Sequence, residues 1–151
     1  MSEAASVDRR RELRRGLAAT LPYLLSHHIP AERHRCHRLA VGGRTLHLCA
    51  RCSGIYPGIA LGVGVFLLGV GRGAWLPVVA FGPLPALVDW AVTTVTERRG
   101  TNAVRTVTGG LLGVAYGLAL PWVLTTWRPV LLAIAVGYGA LVAAGLWLTS
   151  E

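Results

Sequence analysis

A long stretch that is almost free of charge is the feature that most limits what this chain can fold into. From Ser53 to Leu148, 96 residues carry only seven charged side chains. These are Arg72, Asp89, Glu97, Arg98, Arg99, Arg105 and Arg128. A soluble domain has about 25% charged residues, whereas this chain of 151 residues is 15% charged and 53% hydrophobic. The sequence therefore excludes an ordinary soluble globule and a disordered chain, and it predicts an integral membrane protein.

Four apolar stretches are each long enough to cross a membrane as a helix. About 20 apolar residues span a hydrocarbon core of about 30 Å. The predicted spans are 54–70, 74–95, 107–124 and 130–148. We therefore expect an all-α fold, in which residues 54–151 form a membrane bundle of four transmembrane helices. Three prolines, Pro77, Pro83 and Pro85, predict a kink in the second span.

Two of the spans carry a glycine at every fourth residue. The glycines are Gly54, Gly58 and Gly62 in the first span, and Gly109, Gly113 and Gly117 in the third. Small residues at this spacing form a ridge that lets two helices approach closely in lipid. Both ridges begin at the same end of helices that run in the same direction, so we expect the first and third spans to be in contact.

The first 53 residues form a basic arm before the bundle. All 15 basic residues of the chain are Arg, and ten of them precede the first span, which contributes to a net charge of +8. Membrane topology and anionic lipid headgroups account for this charge, so nucleic acid is not an expected partner. Residues 8–25 predict a short interfacial helix rather than a cleaved leader, because the apolar run is short, contains Pro22 and lacks a small-residue cleavage site.

The distribution of Arg also predicts the orientation of the bundle in the cell membrane. The arm and the link 96–106 together carry 13 Arg, whereas the opposite side has only Arg72 and Arg128. Loops that are rich in Lys and Arg stay in the cytoplasm. We therefore expect both termini to be cytoplasmic.

A cluster of cysteine and histidine lies directly before the first span. All three Cys and all five His of the chain are in it, namely His27, His28, His34, Cys36, His37, His47, Cys49 and Cys52. Cys49 and Cys52 have the spacing by which two thiolates share one metal ion. Together with Cys36 and His37 they form a set of three thiolates and one imidazole, which is typical of zinc and less so of an iron–sulfur cluster.

Other interpretations of this cluster stay open. His34 or His47 can replace His37 as the fourth ligand. Cys49 and Cys52 can instead be a redox dithiol, or the cysteines can carry no ligand at all. Several arginines in the same segment favour the thiolate form, namely Arg33, Arg35, Arg38, Arg44 and Arg51.

Polar residues in the spans are expected at the same membrane face as this cluster. Asp89 lies six residues before the end of the second span, about 9 Å deep at about 1.5 Å per residue. An acid at this depth is either functional or part of an ion pair, for which Arg105 is the expected partner. Thr101 can cap the third span. We expect one pocket, open to the cytosol, whose catalytic residues are Asp89, Asn102, Arg105 and Tyr56.

The motifs described above resemble those of the membrane-protein family DUF2085. The resemblance covers about residues 33–117. It rests on Cys36-His37-Arg38, on the stretch Leu48–Gly58 with its CARCxGIY pattern, on Asp89, and on Asn102-x-x-Arg105-x-x-Thr108-Gly109 followed by Gly113. The resemblance implies a small polytopic membrane protein that has these residues as its motif.

Three functions fit the sequence. A metal-dependent enzyme at the cytosolic leaflet would act on an anionic lipid or small substrate, with a metal-bound water as nucleophile, a buried acid as base and Arg for the anionic group. A non-catalytic module would use structural zinc to fix the arm and present a basic face to a partner. A thiol-redox or metal-handling membrane protein would use Cys49 and Cys52 directly.

Overall fold

The computed structural model describes residues 9, 11–17, 19–20, 26, 30–96 and 98–150. The chain divides into two compact units, Met1–Cys49 and Ala50–Glu151. In the first unit, the described residues between 9 and 20 are helical. The rest of the stretch 8–25, as well as His27 and His28, lies outside the described residues. An interfacial position for this helix stays a prediction.

The first unit also contains a two-stranded antiparallel sheet, which corrects the all-α prediction. A short 3-10 helix, Pro30–Arg35, leads into strand β1 (Cys36–Val41). Strand β2 (Arg44–Cys49) returns along it, so that the first residue of β1 lies opposite the last residue of β2. The cysteine and histidine segment is therefore largely a β-hairpin rather than an irregular arm.

The turn of this hairpin explains why a short sheet is present in a mostly helical chain. Gly42 and Gly43 form a two-residue loop, and their φ angles are +56° and +74°. Two successive positive φ angles give the turn whose twist matches that of paired strands, and glycine reaches them without a steric cost. The Gly-Gly pair is a hairpin signal in the sequence, but it lies outside the apolar spans.

The second unit contains four helical segments that are long and apolar enough to cross a membrane, as predicted. Its helices are α1 (Ala50–Leu68), α2 (Trp75–Phe81), α3 (Leu84–Val95), α4 (Asn102–Thr126) and α5 (Pro129–Leu148). A 3-10 turn at Arg72–Ala74 joins α1 to α2, and α2 and α3 together make the second span. Helix α1 of the first span begins four residues earlier than predicted, and helix α4 of the third span begins five residues earlier. Those extra turns carry Arg51, Asn102 and Arg105.

The predicted kink in the second span is confirmed, because the helix is interrupted between Phe81 and Leu84. Pro83 lacks the N–H that a continuous helix needs at this position. The hydroxyl of Tyr138 on α5 donates a hydrogen bond of 2.6 Å to the carbonyl oxygen of Ala80, close to the break. A side chain of a neighbouring helix thus supplies a donor where the regular backbone pattern ends.

Helices α1 and α4 pack against each other along the two glycine ridges, as predicted. A Cβ atom added to any of the six glycines would lie less than 3.0 Å from a backbone atom of the other helix, closer than real side chains approach. Gly54 faces Thr106, and Gly62 faces Val114. Because the residue numbers of the contact positions increase in the same direction on both helices, the two helices run parallel. Their backbones are in direct contact.

Replacing Gly58 by alanine tests this contact. The added methyl group would meet the backbone of α4 at Gly110 and Gly113, and such overpacking costs about 1–3 kcal/mol. Gly64→Ala is a matched control on the same helix, because nothing lies within 4 Å of its added Cβ. We expect reversible unfolding in mixed micelles, followed by circular dichroism, to show a loss of stability for Gly58→Ala alone. Equal stability of the two variants would contradict the packing.

Candidate functional site

Polar side chains meet at the end of the bundle where α1 and α4 begin and α3 ends. Asp89 on α3 forms an ion pair with Arg51 in the first turn of α1. The side chain of Asp89 is 7% exposed and that of Arg51 is 28% exposed. The sequence predicted Arg105 as the ionic partner of Asp89, and the structure places Arg51 in that role. Arg51 reaches Asp89 because α1 begins at Ala50 rather than at Gly54.

Arg105 lies close to this ion pair and is 5% exposed. Its Nη1 donates a hydrogen bond of 3.2 Å to Oδ1 of Asn102, and its Nη2 donates to the backbone oxygen of Arg99. A Cβ atom added to Gly100 would lie 3.4 Å from Nη2 of Arg105 and 3.6 Å from Oδ1 of Asp89. The structure therefore brings three of the predicted site residues together around Gly100.

Hydroxyl groups join the first turns of α1 and α4 beside this cluster. Oγ1 of Thr106 donates to the carbonyl oxygen of Ala50 at 2.9 Å. Oγ of Ser53 lies 3.4 Å from the same hydroxyl. Thr101 caps α4, as predicted, by accepting a hydrogen bond of 3.3 Å from the backbone N–H of Val104. These bonds hold the turns that carry Arg51 and Arg105, and the link from Thr106 to α1 was not predicted.

Tyr56 is the predicted site residue that the structure leaves apart from this cluster. It follows Gly54 by two residues, which on a helix is the opposite side from the ridge that contacts α4. Its side chain is 68% exposed. Among the described residues, Tyr56 therefore lies on the side of α1 that does not contact α4.

A cavity of about 310 Å³ opens beside Arg51, in the size range of small-molecule pockets. Its walls are otherwise mostly apolar, and the lining residues are Arg51, Pro83, Ala86, Leu87, Trp90, Leu112, Tyr138 and Val142. Within the part of the chain that the structure describes, the Nε atom of Arg51 is buried and has no hydrogen-bond partner. Buried N–H groups are nearly always paired, so this donor is an unusual feature of the cavity wall.

The hairpin of the first unit aligns two of the three cysteines. Cys36 and Cys49 are opposite each other across the strands, and both are buried. Residues paired in this way lie about 4.5–5.5 Å apart at Cα and point to the same face. Oγ of Ser26 lies 3.3 Å from Sγ of Cys36. Two thiols on one face of a hairpin are a suitable pair for a shared ligand.

The alternation of side chains along the strands also determines which face of the hairpin each histidine occupies. His37 follows Cys36 directly, so its side chain points to the opposite face of the hairpin. His47 pairs with Arg38 and lies two residues before Cys49, which puts it on the same face as Cys36 and Cys49. Over residues 30–96 and 98–150, with the few described residues before them, no group of three or more His, Cys, Asp or Glu is arranged to hold a metal ion.

The ion pair predicts a coupled loss of stability when one partner is replaced. Asp89→Asn leaves the charge of Arg51 without its partner and should lower the free energy of unfolding by about 1–3 kcal/mol, less than for a fully buried pair. Adding Arg51→Gln should recover part of that loss. Arg99→Gln is the control, because its exposed side chain is lost while its backbone oxygen still accepts from Arg105. Strictly additive effects in the double-mutant cycle would contradict the ion pair.

Comparison with known proteins relates the chain to one family. The model of DUF2085, described as a predicted membrane protein family, matches residues 32–119. This range includes the hairpin, α1, the kinked second span and most of α4, and therefore both the aligned cysteines and the polar cluster. No curated protein and no solved structure matches the chain significantly. The family motif and the four membrane-spanning helices thus identify the chain as a member of the DUF2085 family of membrane proteins.

Proposed function

We propose that this membrane protein binds an amphiphilic substrate with an anionic group, such as a lipid phosphate, and acts on it with the help of a zinc ion. The observation that carries the proposal is the ion pair between Arg51 and Asp89. Arg51 lies between Cys49 and Cys52 in the sequence, so this contact ties the cysteine motif to the intramembrane acid. Both termini are proposed to be cytoplasmic, which places this end of the bundle at the cytosolic leaflet.

The cavity beside Arg51 supports an amphiphilic ligand. Its apolar lining suits a hydrocarbon chain, and the unpartnered Nε of Arg51 offers a donor to an anionic headgroup. Arg105 lies beside Arg51 and Asp89, so this cluster holds two arginines for one acid, which gives it a surplus of positive charge. Such a surplus attracts phosphate, which arginine binds with paired hydrogen bonds.

The cysteines support a zinc site. Cys36 and Cys49 share one face of the hairpin, and Cys52 follows Cys49 at the spacing by which two thiolates bind one metal ion. Strand alternation favours His47 over His37 as the fourth ligand, since His47 shares that face. A zinc ion that retained an open position would supply a bound water acidic enough to act as a nucleophile near neutral pH.

The ion pair gives Asp89 a defined role in such a reaction. In the structure its carboxylate is held by Arg51. A phosphate group that bound Arg51 would compete with Asp89 for the guanidinium. Asp89 would then be available to accept a proton, while Arg51 and Arg105 would balance the charge of the phosphate.

A non-catalytic module with structural zinc is the second candidate. The observation that favours it is the burial of Asp89 within an ion pair, an arrangement that also occurs where a charge serves structure alone. In that case zinc would be bound by four protein side chains and would only order the hairpin. A redox dithiol at Cys49 and Cys52 is the outcome if the purified protein holds no metal.

Metal content tests the zinc site. We expect about one zinc per chain in the purified protein by elemental analysis, and loss of order in the hairpin when a chelator removes it. Cys36→Ser and Cys49→Ser should each weaken zinc binding by at least about tenfold, as should His47→Ala. His37→Ala is the matched control and should keep the metal. Metal-free protein with a bond between Cys49 and Cys52 would contradict zinc and favour the redox function.

The variant Asp89→Asn distinguishes between the two proposed functions, an enzyme and a structural module. With vesicles of phosphatidic acid as the probe, we expect zinc-dependent release of inorganic phosphate by the wild type and a loss of at least about 100-fold in the variant. The assay is made well below the melting temperature of the variant, so that lost stability does not imitate lost catalysis. Arg99→Gln is the control. A wild type that binds zinc but releases no phosphate would support the structural module.

A further inference from the structure

A second polar cavity lies at the other end of the bundle, away from Asp89. It has a volume of about 630 Å³ and forms where α1 and α4 end and α2 begins. The lining residues are Phe66, Leu67, Arg72, Trp75, Leu76, Trp122, Thr126 and Arg128. Neither the family motif nor the site around Asp89 includes this cavity, so its charged residues need a separate explanation.

The two arginines of this cavity are held by a pair of tryptophans. The rings of Trp75 and Trp122 meet edge to face, with centroids 5.5 Å apart. Cζ of Arg72 lies 5.9 Å from the ring centroid of Trp75, and Cζ of Arg128 lies 6.0 Å from that of Trp122. A guanidinium over an aromatic ring keeps its N–H groups available at the edge of its plane. The cavity therefore has two positioned, planar donors.

No acidic residue balances these two arginines within their part of the chain. The sequence contains no Asp or Glu from residue 33 to residue 88, and none from residue 98 to residue 150. Asp89, the sixth residue of α3, is paired with Arg51 and does not line this cavity. Arg72 and Arg128 are the only basic residues in the links 69–74 and 125–129. The rule that concentrates Arg on the cytoplasmic side therefore does not explain them.

The backbone next to Arg128 is held in a conformation that is costly for its residue type. Trp127 has a φ of +42°, the only positive φ among the described residues other than glycine. A left-handed conformation costs a non-glycine residue about 1 kcal/mol or more. Trp127 is the residue that follows α4. The next residue, Arg128, precedes α5 without a capping hydrogen bond from its side chain, which lies over Trp122.

We propose that this cavity binds the phosphate group of an amphiphile from the leaflet at this end of the bundle. Arg72 and Arg128 donate to the phosphate oxygens from the wall of the cavity. Phe66, Leu67 and Leu76 provide apolar surface for the hydrocarbon chain. Binding here is independent of zinc and of the reaction proposed at Asp89.

Binding of a lipid of defined charge tests the site. Purified full-length protein in a neutral detergent is titrated with phosphatidylglycerol or phosphatidylcholine, and bound lipid is counted by native mass spectrometry. In a parallel arm, inorganic phosphate replaces the lipid and binding is followed by calorimetry. We expect the wild type to prefer phosphatidylglycerol, and the double variant Arg72→Gln/Arg128→Gln to lose at least about tenfold in affinity.

Two further variants keep the test decisive. Arg98→Gln/Arg99→Gln removes the same number of exposed charges at the other end of the bundle, so it should retain the binding that depends on Arg72 and Arg128. Arg72→Lys/Arg128→Lys keeps the charge but not the planar donors, and it should bind more weakly than the wild type even if the glutamine variant fails to fold.

Each outcome of these measurements either assigns the site to one ligand or overturns the proposal. Arginine-dependent binding of phosphatidylglycerol supports a lipid as the source of the phosphate. Arginine-dependent binding of inorganic phosphate, without preference between the lipids, supports the phosphate site but assigns it to a soluble anion. If the glutamine variant, or the lysine variant in its place, binds both probes as the wild type does, the proposal is overturned.

Discussion

The direct backbone contact between α1 and α4 is the constraint on which the rest of the membrane unit depends. Six glycines let the two helices approach until no side chain fits between them. In lipid there is little hydrophobic gain from bringing helices together, so close packing and interhelical polar contacts have to supply the association. The bond from Thr106 to Ala50 lies at the end of this contact. The position of Arg51, and thus of the ion pair, follows from how these two helices meet.

Much of this arrangement could be predicted from the sequence. Hydropathy predicted the four spans, and the prolines predicted the kink in the second span. The glycine spacing predicted that the first and third spans pack together. These predictions held because each signal is local and has one physical meaning in a membrane. The interfacial helix, the orientation of the termini and the metal stay predictions. For Asp89, Asn102 and Arg105, the prediction of a shared cluster rested on depth, and the structure brings them together around Gly100.

The remaining features depended on information that hydropathy does not carry. The first span was predicted to begin at Gly54, because Arg51 and the cysteines interrupt the apolar pattern. The helical turn that brings Arg51 to Asp89 was therefore not predicted. Tyr56 was assigned to the site by its depth, although its helical position relative to Gly54 puts it on the side of α1 away from α4. The hairpin was not predicted because its signal is only the short Gly42-Gly43 turn. Without the strand register, the sequence did not show that His37 and His47 lie on opposite faces of the hairpin.

The interruption of the second span has a mechanical consequence. Beyond the break at Pro83, α3 is a separate rod of 12 residues, about 18 Å long at about 1.5 Å per residue. Asp89 is the sixth residue of this helix, so its ion pair ties the middle of the second half of the span to the first turn of α1. The next residue, Trp90, lines the cavity beside Arg51. An anion that displaced Asp89 from Arg51 would therefore also loosen one wall of that cavity.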